Sequence, residues 1–464
     1  MCRAFFVLFV VYLSTMGAFG AVYGQKEANP RTGRYRDVLK EPKSDTAIVE
    51  FWMRAPDKLP SKKHLGVIFS FYGVGGGKND NWESGNPPHY MYQAKLDQQY
   101  IFVSPRSKGD GWGTVDEEPL TKLIDWVLDN YPVDPRRVFL YGFSSGGFFI
   151  GPYGAGHMDR IAGVFAVAGN VGKLEKMQNA SENGQEYYLV CGDNDGHMGA
   201  SVKSNKLCQE TGYRVIYRQV HGRTHEDIQG HDPTMSDGFK WIHALRHKNM
   251  PPSDEDKAAL AAMEAEAEQA AFWTGMGAVA ELGRIGGSNA GKVVVKGLKS
   301  NDAAVRAASA KFCVDKLLGK DVVTALAVVF LKKDETDEVR RAAAEALACF
   351  SAWRYAEAQT ALCQMAWDKK RDASQRALAL DAIGKSVSLM MLGNFEDRVL
   401  FDTSFNMLMD KDQAVRVAAF TALSPAVEGG YGYKPDLLPQ KNITALNQWQ
   451  QWLFDKCGKP KQSK

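Results

Sequence analysis

Cysteine is scarce in this chain, with seven in 464 residues and no C-x-x-C spacing among them. That spacing and clustered histidines are what a structural zinc site needs, so no metal is expected. Charge of one sign is also lacking: 57 Lys and Arg against 54 Asp and Glu leave a formal net charge of +3, too little to hold a nucleic acid electrostatically. Neither G-x-x-x-x-G-K-[ST] nor a G-x-G-x-x-G before a helix is present, which argues against phosphate binding. Long apolar runs are absent beyond Ala4–Leu13, itself well short of the roughly 20 residues that span a bilayer.

That one run has an address-like setting. Arg3 precedes it, the small residues Gly17, Ala18, Gly20 and Ala21 follow, and polar Gln25-Lys26-Glu27 comes next. This layout predicts a secretory leader over residues 1–24, a secreted or periplasmic location, and a mature chain without a membrane span. Export would make the compartment oxidising, where Cys191 and Cys208 are a candidate disulfide. The remaining Cys313, Cys349, Cys363 and Cys457 sit mostly at apolar positions of helical patterns and read as buried thiols.

Gly142-Phe143-Ser144-Ser145-Gly146 follows the apolar stretch Arg137-Val138-Phe139-Leu140-Tyr141. A G-x-S-x-G at the end of a strand is a nucleophile elbow, in which small residues let strand and helix approach closely and the serine hydroxyl stands clear. Ser144 is therefore the candidate nucleophile; Ser145 would need glycine where Phe143 stands. Two later strands end in the partners such a serine needs: Tyr187–Gly192 runs into Asp193-Asn194-Asp195, and Tyr213–Val220 into His221-Gly222-Arg223-Thr224-His225. A hydroxyl requires a neutral imidazole to take its proton, and the imidazole requires a carboxylate to fix its tautomer. The assignment is Ser144 as nucleophile, His225 as base and Asp195 as orienter, with His221 and Asp193 as neighbouring alternatives. An oxyanion needs fixed backbone donors, expected at Ser145 and at Val74, in the glycine-rich loop after strand Leu65–Phe71.

Residues 40–250 resemble the esterases of the polyhydroxybutyrate depolymerase and feruloyl esterase type in the α/β-hydrolase superfamily. The resemblance is carried by Tyr72-Gly73-Val74-Gly75-Gly76-Gly77, by Val133-Asp134-Pro135-Arg136-Arg137-Val138 leading into the elbow, by Gly192-Asp193-Asn194-Asp195 and by the loop ending at His225. It implies a mostly parallel, doubly wound sheet and hydrolysis of a carboxylic ester through an acyl-enzyme, with no metal or cofactor. The resemblance also favours Asp195 over Asp193, three residues after Gly192. Tyr72 stands where such enzymes usually carry histidine, and no aromatic-proline pair follows His225, so substrate identity does not transfer. Tyr72, Trp82 and Trp112, with Tyr90 and Tyr92, are candidate substrate contacts from their place in loops after early strands.

The pattern changes at Met250-Pro251-Pro252-Ser253. An acidic, alanine-rich helical linker is expected over 251–272, and an all-α domain over 273–464, following the α/β unit of 25–250. Four segments repeat: around Arg306, Arg340, Arg376 and Arg416, each with a preceding Asp and flanking alanines, spaced 34, 36 and 40 residues apart. This is the signature of stacked helical hairpins, and it resembles HEAT repeats, with Gln375 departing at the valine position of the third copy. Such arrays present a surface to a protein partner, or here shield the hydrolase; Trp449, Trp452 and Phe454 read as its terminal cap. Because the triad precedes residue 251, a chain ending there is expected to fold and act on small esters by itself. Three classes follow: a secreted serine esterase acting on polysaccharide-linked or polyester acyl groups, a serine peptidase with the same triad, or an inactive hydrolase-fold scaffold.

Overall fold

The computed structural model describes residues 21–27, 29–75, 91, 96–172, 185–390 and 398–457. Eight strands form one sheet: β1 (Gly33–Lys40), β2 (Ala47–Ala55), β3 (Leu65–Phe71), β4 (Tyr100–Pro105), β5 (Val133–Phe143), β6 (Gly163–Val167), β7 (Glu186–Gly192) and β8 (Arg214–Val220). Their order is β1-β2-β4-β3-β5-β6-β7-β8. Strand β2 runs antiparallel to both neighbours, whereas the six strands from β4 to β8 are mutually parallel. The N-terminal half is thus an α/β-hydrolase fold, with the ends of β3, β5, β7 and β8 at one edge of the sheet.

Side-chain alternation sorts the sheet into two cores. Val67 and Phe69, Val138 and Leu140, and Leu189 and Cys191 face one side, where α1 (Glu117–Asn130), α2 (Ser145–Gly156) and α3 (Met198–Thr211) cover them. Ile68, Phe139, Phe165, Tyr188 and Ile216 face the other. Near-continuous apolar strands such as Leu65–Phe71 are what a sheet buried on both faces demands. That second face is covered by α4 (Asp232–Ala244) together with Leu317 and Trp353 of the C-terminal half.

The C-terminal half is all-helical. After α5 (Asp254–Glu266), α6 (Ala270–Thr274) and α7 (Met276–Ile285), its helices are α8 (Gly287–Leu298), α9 (Ala303–Phe312), α10 (Lys320–Leu331), α11 (Asp337–Ala352), α12 (Ala356–Trp367), α13 (Ala373–Met390), α14 (Arg398–Met407), α15 (Gln413–Leu423) and α16 (Ile443–Cys457). Odd members from α9 to α15 pack side by side in one layer and even members from α8 to α16 in the other. The repeating arginines open the helices of the odd layer, and all four are buried. Their guanidinium groups satisfy carbonyls left bare at the preceding turns: Arg306 donates to Ser300 and Asn301, Arg340 to Lys332, Lys333 and Glu335, and Arg416 to Asp410 and Lys411. Arg306 also reaches Glu335, and Arg376 reaches Asp410, each carboxylate lying ahead of the next repeat's odd helix. Asp302 caps α9 by accepting from the Ala304 amide at 2.8 Å. Trp449 closes the stack, fully buried against Tyr431 and Trp452, its indole N–H on the Gly430 carbonyl.

The two halves meet over buried polar groups. Asp237 on α4 accepts from Arg218 at 3.0 Å, from the Tyr188 hydroxyl at 2.5 Å and from the Trp353 indole at 3.4 Å, while Arg218 also donates to the Ala352 carbonyl. Arg214 lies 4.1 Å from the Tyr355 ring centre and donates to the Trp353 carbonyl. At the other end, Arg136 bonds Asp134 and Asp256, and Asp256 also bonds Arg284. An autonomous hydrolase ending near residue 251 is therefore not what the packing describes, because the array forms part of the layer over the sheet.

Two further expectations change. Ala21–Tyr23, placed in the leader, join the fold: Ala21 is buried, its carbonyl accepts from Lys40 and Tyr23 donates back to the Lys40 carbonyl. Cys191 and Cys208 carry free thiols. Cys191 bonds Ser201, whereas Cys208 lies beside Tyr187, four residues up the strand. Burial pushes both thiols up to about 12. Cys313 and Cys363 are buried free thiols, and Cys349 is half-buried. Among the described residues no helix is long and apolar enough to cross a membrane.

Deleting the array should therefore damage the sheet domain. A chain ending at residue 251 is expected to lose its cooperative thermal transition, and Arg218→Met in the full chain to cost about 3 kcal/mol by leaving Asp237 buried without its cation. Urea denaturation followed by circular dichroism checks both; a truncated chain as stable as the whole would show the interface to be dispensable.

Candidate active site

Strand β5 delivers the elbow. Ser144 sits at φ 52°, ψ −120°, a conformation strained for a residue with a side chain. It is held by Ser144 N–H to the Val167 carbonyl and by Phe148 N–H to the Ser144 carbonyl, both 2.9 Å. The flanking glycines explain the motif. A Cβ on Gly142 would lie 2.7 Å from the Gly146 carbonyl carbon, and one on Gly146 would lie 2.4 Å from the Phe71 oxygen. Any larger residue would push α2 off the sheet.

The structure brings Ser144, His225 and Asp195 together. Ser144 Oγ is 2.9 Å from His225 Nε2, and His225 Nδ1 is 2.9 Å from Asp195 Oδ2. The Asp195 side chain is fully buried, and its other oxygen accepts from the His197 amide at 2.7 Å. With Asp195 fixed at both oxygens, the imidazole is oriented with Nδ1–H on the carboxylate and Nε2 free to accept from the serine. Phe143 and His197 flank the His225 ring at 5.0 and 4.9 Å between ring centres, and Phe148 lies 5.0 Å from His197.

The neighbouring acid and histidine form a separate pair. His221 Nδ1 lies 2.6 Å from Asp193 Oδ2, with the imidazole almost wholly exposed. Asp193 Oδ1 accepts from the Gly222 amide, and the Asn194 amide donates to Arg223. These bonds clip the histidine loop to the acid loop, which carries His225 over the sheet edge.

The loop after β3 rests on the elbow. Gly73 touches Ser144, since a Cβ on it would lie 3.3 Å from the Ser144 Cβ. This puts Val74, 73% exposed, beside the nucleophile, across from Ser145 at the first turn of α2, where N–H groups have no intrahelical acceptor. Tyr72 and Trp112, expected as substrate contacts, are committed elsewhere. The Tyr72 hydroxyl accepts from the Ser107 amide at 2.8 Å, and burial raises its phenol above the ordinary range. Its carbonyl accepts from Gly146 N–H and from the Trp112 indole. Trp112 stacks on Phe149 and meets Phe71 edge-on, while its amide donates to Ser145 Oγ. Both brace the loop that carries Val74. Trp82, Tyr90 and Tyr92 lie outside the described residues.

Sequence reasoning missed His197 and Phe148. Phe148 was within the apolar run after the elbow, but nothing in the spacing placed His197 against His225. Ligand atoms of Asp195, His197 and His225 lie within 4.8 Å of one another. Two of these groups already bond each other, and a cation there would compete with Ser144 for the imidazole.

No family model matches the chain. Solved structures similar to it include fluorophosphonate-binding serine hydrolase F of Staphylococcus aureus, 10% identical, covering 46% of this chain and 99% of its own, with a TM-score of 0.35. The S-formylglutathione hydrolase of the same organism is 11% identical with the same coverages and a TM-score of 0.36. A ferulic acid esterase from Anaeromyces mucronatus is 14% identical over 46% of this chain and 90% of its own, with a TM-score of 0.35.

Paired substitutions separate the two His–Asp pairs. His225→Ala and Asp195→Asn are expected to lower kcat/KM on a p-nitrophenyl ester on the order of 10³-fold or more, and His221→Ala and Asp193→Asn by less than about 10-fold. The reverse ranking would move the base and acid to the exposed pair.

Proposed function

We propose that this chain is a serine hydrolase that cleaves carboxylic esters through an acyl-enzyme. The observation that supports it is the unbroken hydrogen-bond path from Ser144 through His225 to buried Asp195 beneath an open edge of the sheet. His225 Nε2 takes the hydroxyl proton as Ser144 Oγ attacks the ester carbonyl, and Asp195 stabilises the imidazolium. The backbone N–H groups of Ser145 and Val74 receive the oxyanion. Collapse of the tetrahedral intermediate passes the proton from Nε2 to the leaving alcohol. Water, deprotonated by the same nitrogen, then releases the acid and restores Ser144.

The substrates fitting this reading are acyl groups esterified to polysaccharides or in polyesters. The HEAT-like array supports the sheet through Asp237 and Trp353 and leaves the elbow edge to the substrate. Ser144→Ala should fold as the parent does and lose several orders of magnitude in kcat. Acetyl, feruloyl and hydroxybutyryl esters assayed beside aminoacyl anilides identify the acyl group; parental ester turnover by Ser144→Ala, or anilide cleavage in preference to every ester, would defeat the proposal.

Export accompanies this reading, with removal of the leader between Gly20 and Ala21 instead of after Gly24. Ala18-Phe19-Gly20 has the small-x-small form of a cleavage site. The new amino group would lie at the Ala21 nitrogen, now 3.3 Å from Asp37 Oδ2, keeping the pairing of Ala21–Tyr23 with Lys40. The intact mass of the exported protein should correspond to a chain starting at Ala21; one starting at Gln25 would be the contrary result.

A further inference from the structure

At the edge of the sheet opposite Ser144, a cavity of about 380 Å³ opens where β3, β4 and β5 begin. Arg137, its floor, is seven residues before Ser144 on the β5 path, roughly 23 Å away. The guanidinium is 2% exposed, and Nη1 donates to the His64 carbonyl at 2.8 Å. Nε and Nη2 are buried with no hydrogen-bond partner, although the Tyr100 ring lies under the group at 4.7 Å from Cζ to its centre. A buried guanidinium with two idle donors is costly, and an anion close by is what offsets its charge.

The surroundings lean the same way. Lys58 stands exposed at the rim and Arg284 lines the wall, held from behind by Asp256 and Glu281; no carboxylate lines the cavity among the described residues. Behind Arg137, buried Arg246 turns toward the Arg284, His243 and Leu245 carbonyls, with its Nε unpartnered. Burial, with Arg137 next, pushes Arg246 down to about 9, and burial with both arginines holds His243 neutral, down at about 3. Positive charge therefore exceeds its local compensation here. Leu59, Pro60 and Leu65 form the apolar part of the wall, and His64, Gln98 and Gln99 complete the lining. A cavity of this size that joins an apolar wall to a few polar groups has the proportions of a small-molecule site.

We propose that this cavity is a binding site for a small organic carboxylate, drawn by the positive charge of Arg137, Arg284 and Lys58, while its apolar stem packs on Leu59, Pro60 and Leu65. Because Arg284 belongs to the helical half and Arg137 to the sheet, the ligand bridges the two and stabilises their docking.

Benzoate is the probe, benzamide its neutral analogue and inorganic phosphate the oxyanion without a stem, each titrated into the full-length protein by calorimetry and thermal shift. Benzoate should bind saturably with one site and raise Tm by roughly 2 °C or more at tenfold excess over Kd. Benzamide should give no shift, and phosphate should bind at least about 10-fold more weakly for want of the stem. Arg137→Gln should abolish binding. Since a buried arginine also supports the fold, Lys58→Glu on the exposed rim is the second variant, expected to weaken benzoate several-fold at unchanged Tm without ligand. Equal shifts from benzoate and benzamide, phosphate binding as tight as benzoate, or parental affinity in Lys58→Glu would each overturn the assignment. None of these measurements depends on turnover, so the outcome stands apart from that of the Ser144 experiments.

Discussion

The contact between Gly146 and the Phe71 carbonyl sets the rest of this molecule in place. Helix α2 starts so close to the end of β3 that no side chain fits between them, and that approach turns Ser144 into its strained conformation. The same approach lets Gly146 donate to the Tyr72 carbonyl, which fixes the loop bearing Val74. Ser144 and the Val74 loop are thus positioned by one piece of backbone packing, and the strain at Ser144 is opposed by the hydrogen bonds to Val167 and Phe148 on either side.

Much of this was legible from local chemistry. The elbow, the strand ends at Gly192 and Val220 and the recurrent arginines each carry a short-range signal, and β3, β5, β7 and β8 fall where apolar runs end in polar loops. Strands β1 and β2 were not read, because Tyr35, Arg36 and Asp37 or Trp52 and Arg54 alternate without the continuous apolar run that marked the interior strands, while β4 was passed over although Tyr100-Ile101-Phe102-Val103 is such a run. The roles of Tyr72 and Trp112 were misread for a different reason. Aromatic residues in loops near a nucleophile look like substrate contacts until their N–H and O–H partners are known, and here those partners are the Tyr72 carbonyl and the Ser107 amide. Cys191 and Cys208 show the same limit: adjacent elements suggested a bridge, but both thiols are free in the core.

The apparent boundary at Met250-Pro251-Pro252 is a change of composition, not of cooperativity. Helix α4 covers only part of one sheet face, and Trp353 and Leu317 extend the cover from the far side of that boundary. The polar groups around Asp237 at this junction are engaged with one another: Asp237 takes Arg218, Tyr188 and Trp353 together. A buried charge with three donors tolerates only one register between the halves, which is a stronger constraint on docking than apolar area, since greasy surfaces slide.

The arginine ties of the array link sequentially distant parts of the chain energetically. In a stack of hairpins, stability is the sum of each unit's own folding and its coupling to the next. Arg306 on Glu335 and Arg376 on Asp410 make those couplings strong and directional, and Trp353 at the end of α11 joins the stack to the sheet. The hairpin capped by Trp449 therefore belongs to the same cooperative unit as the elbow. Whatever grips that last hairpin also deepens the free-energy well in which Ser144 is held strained, without any contact with the site itself.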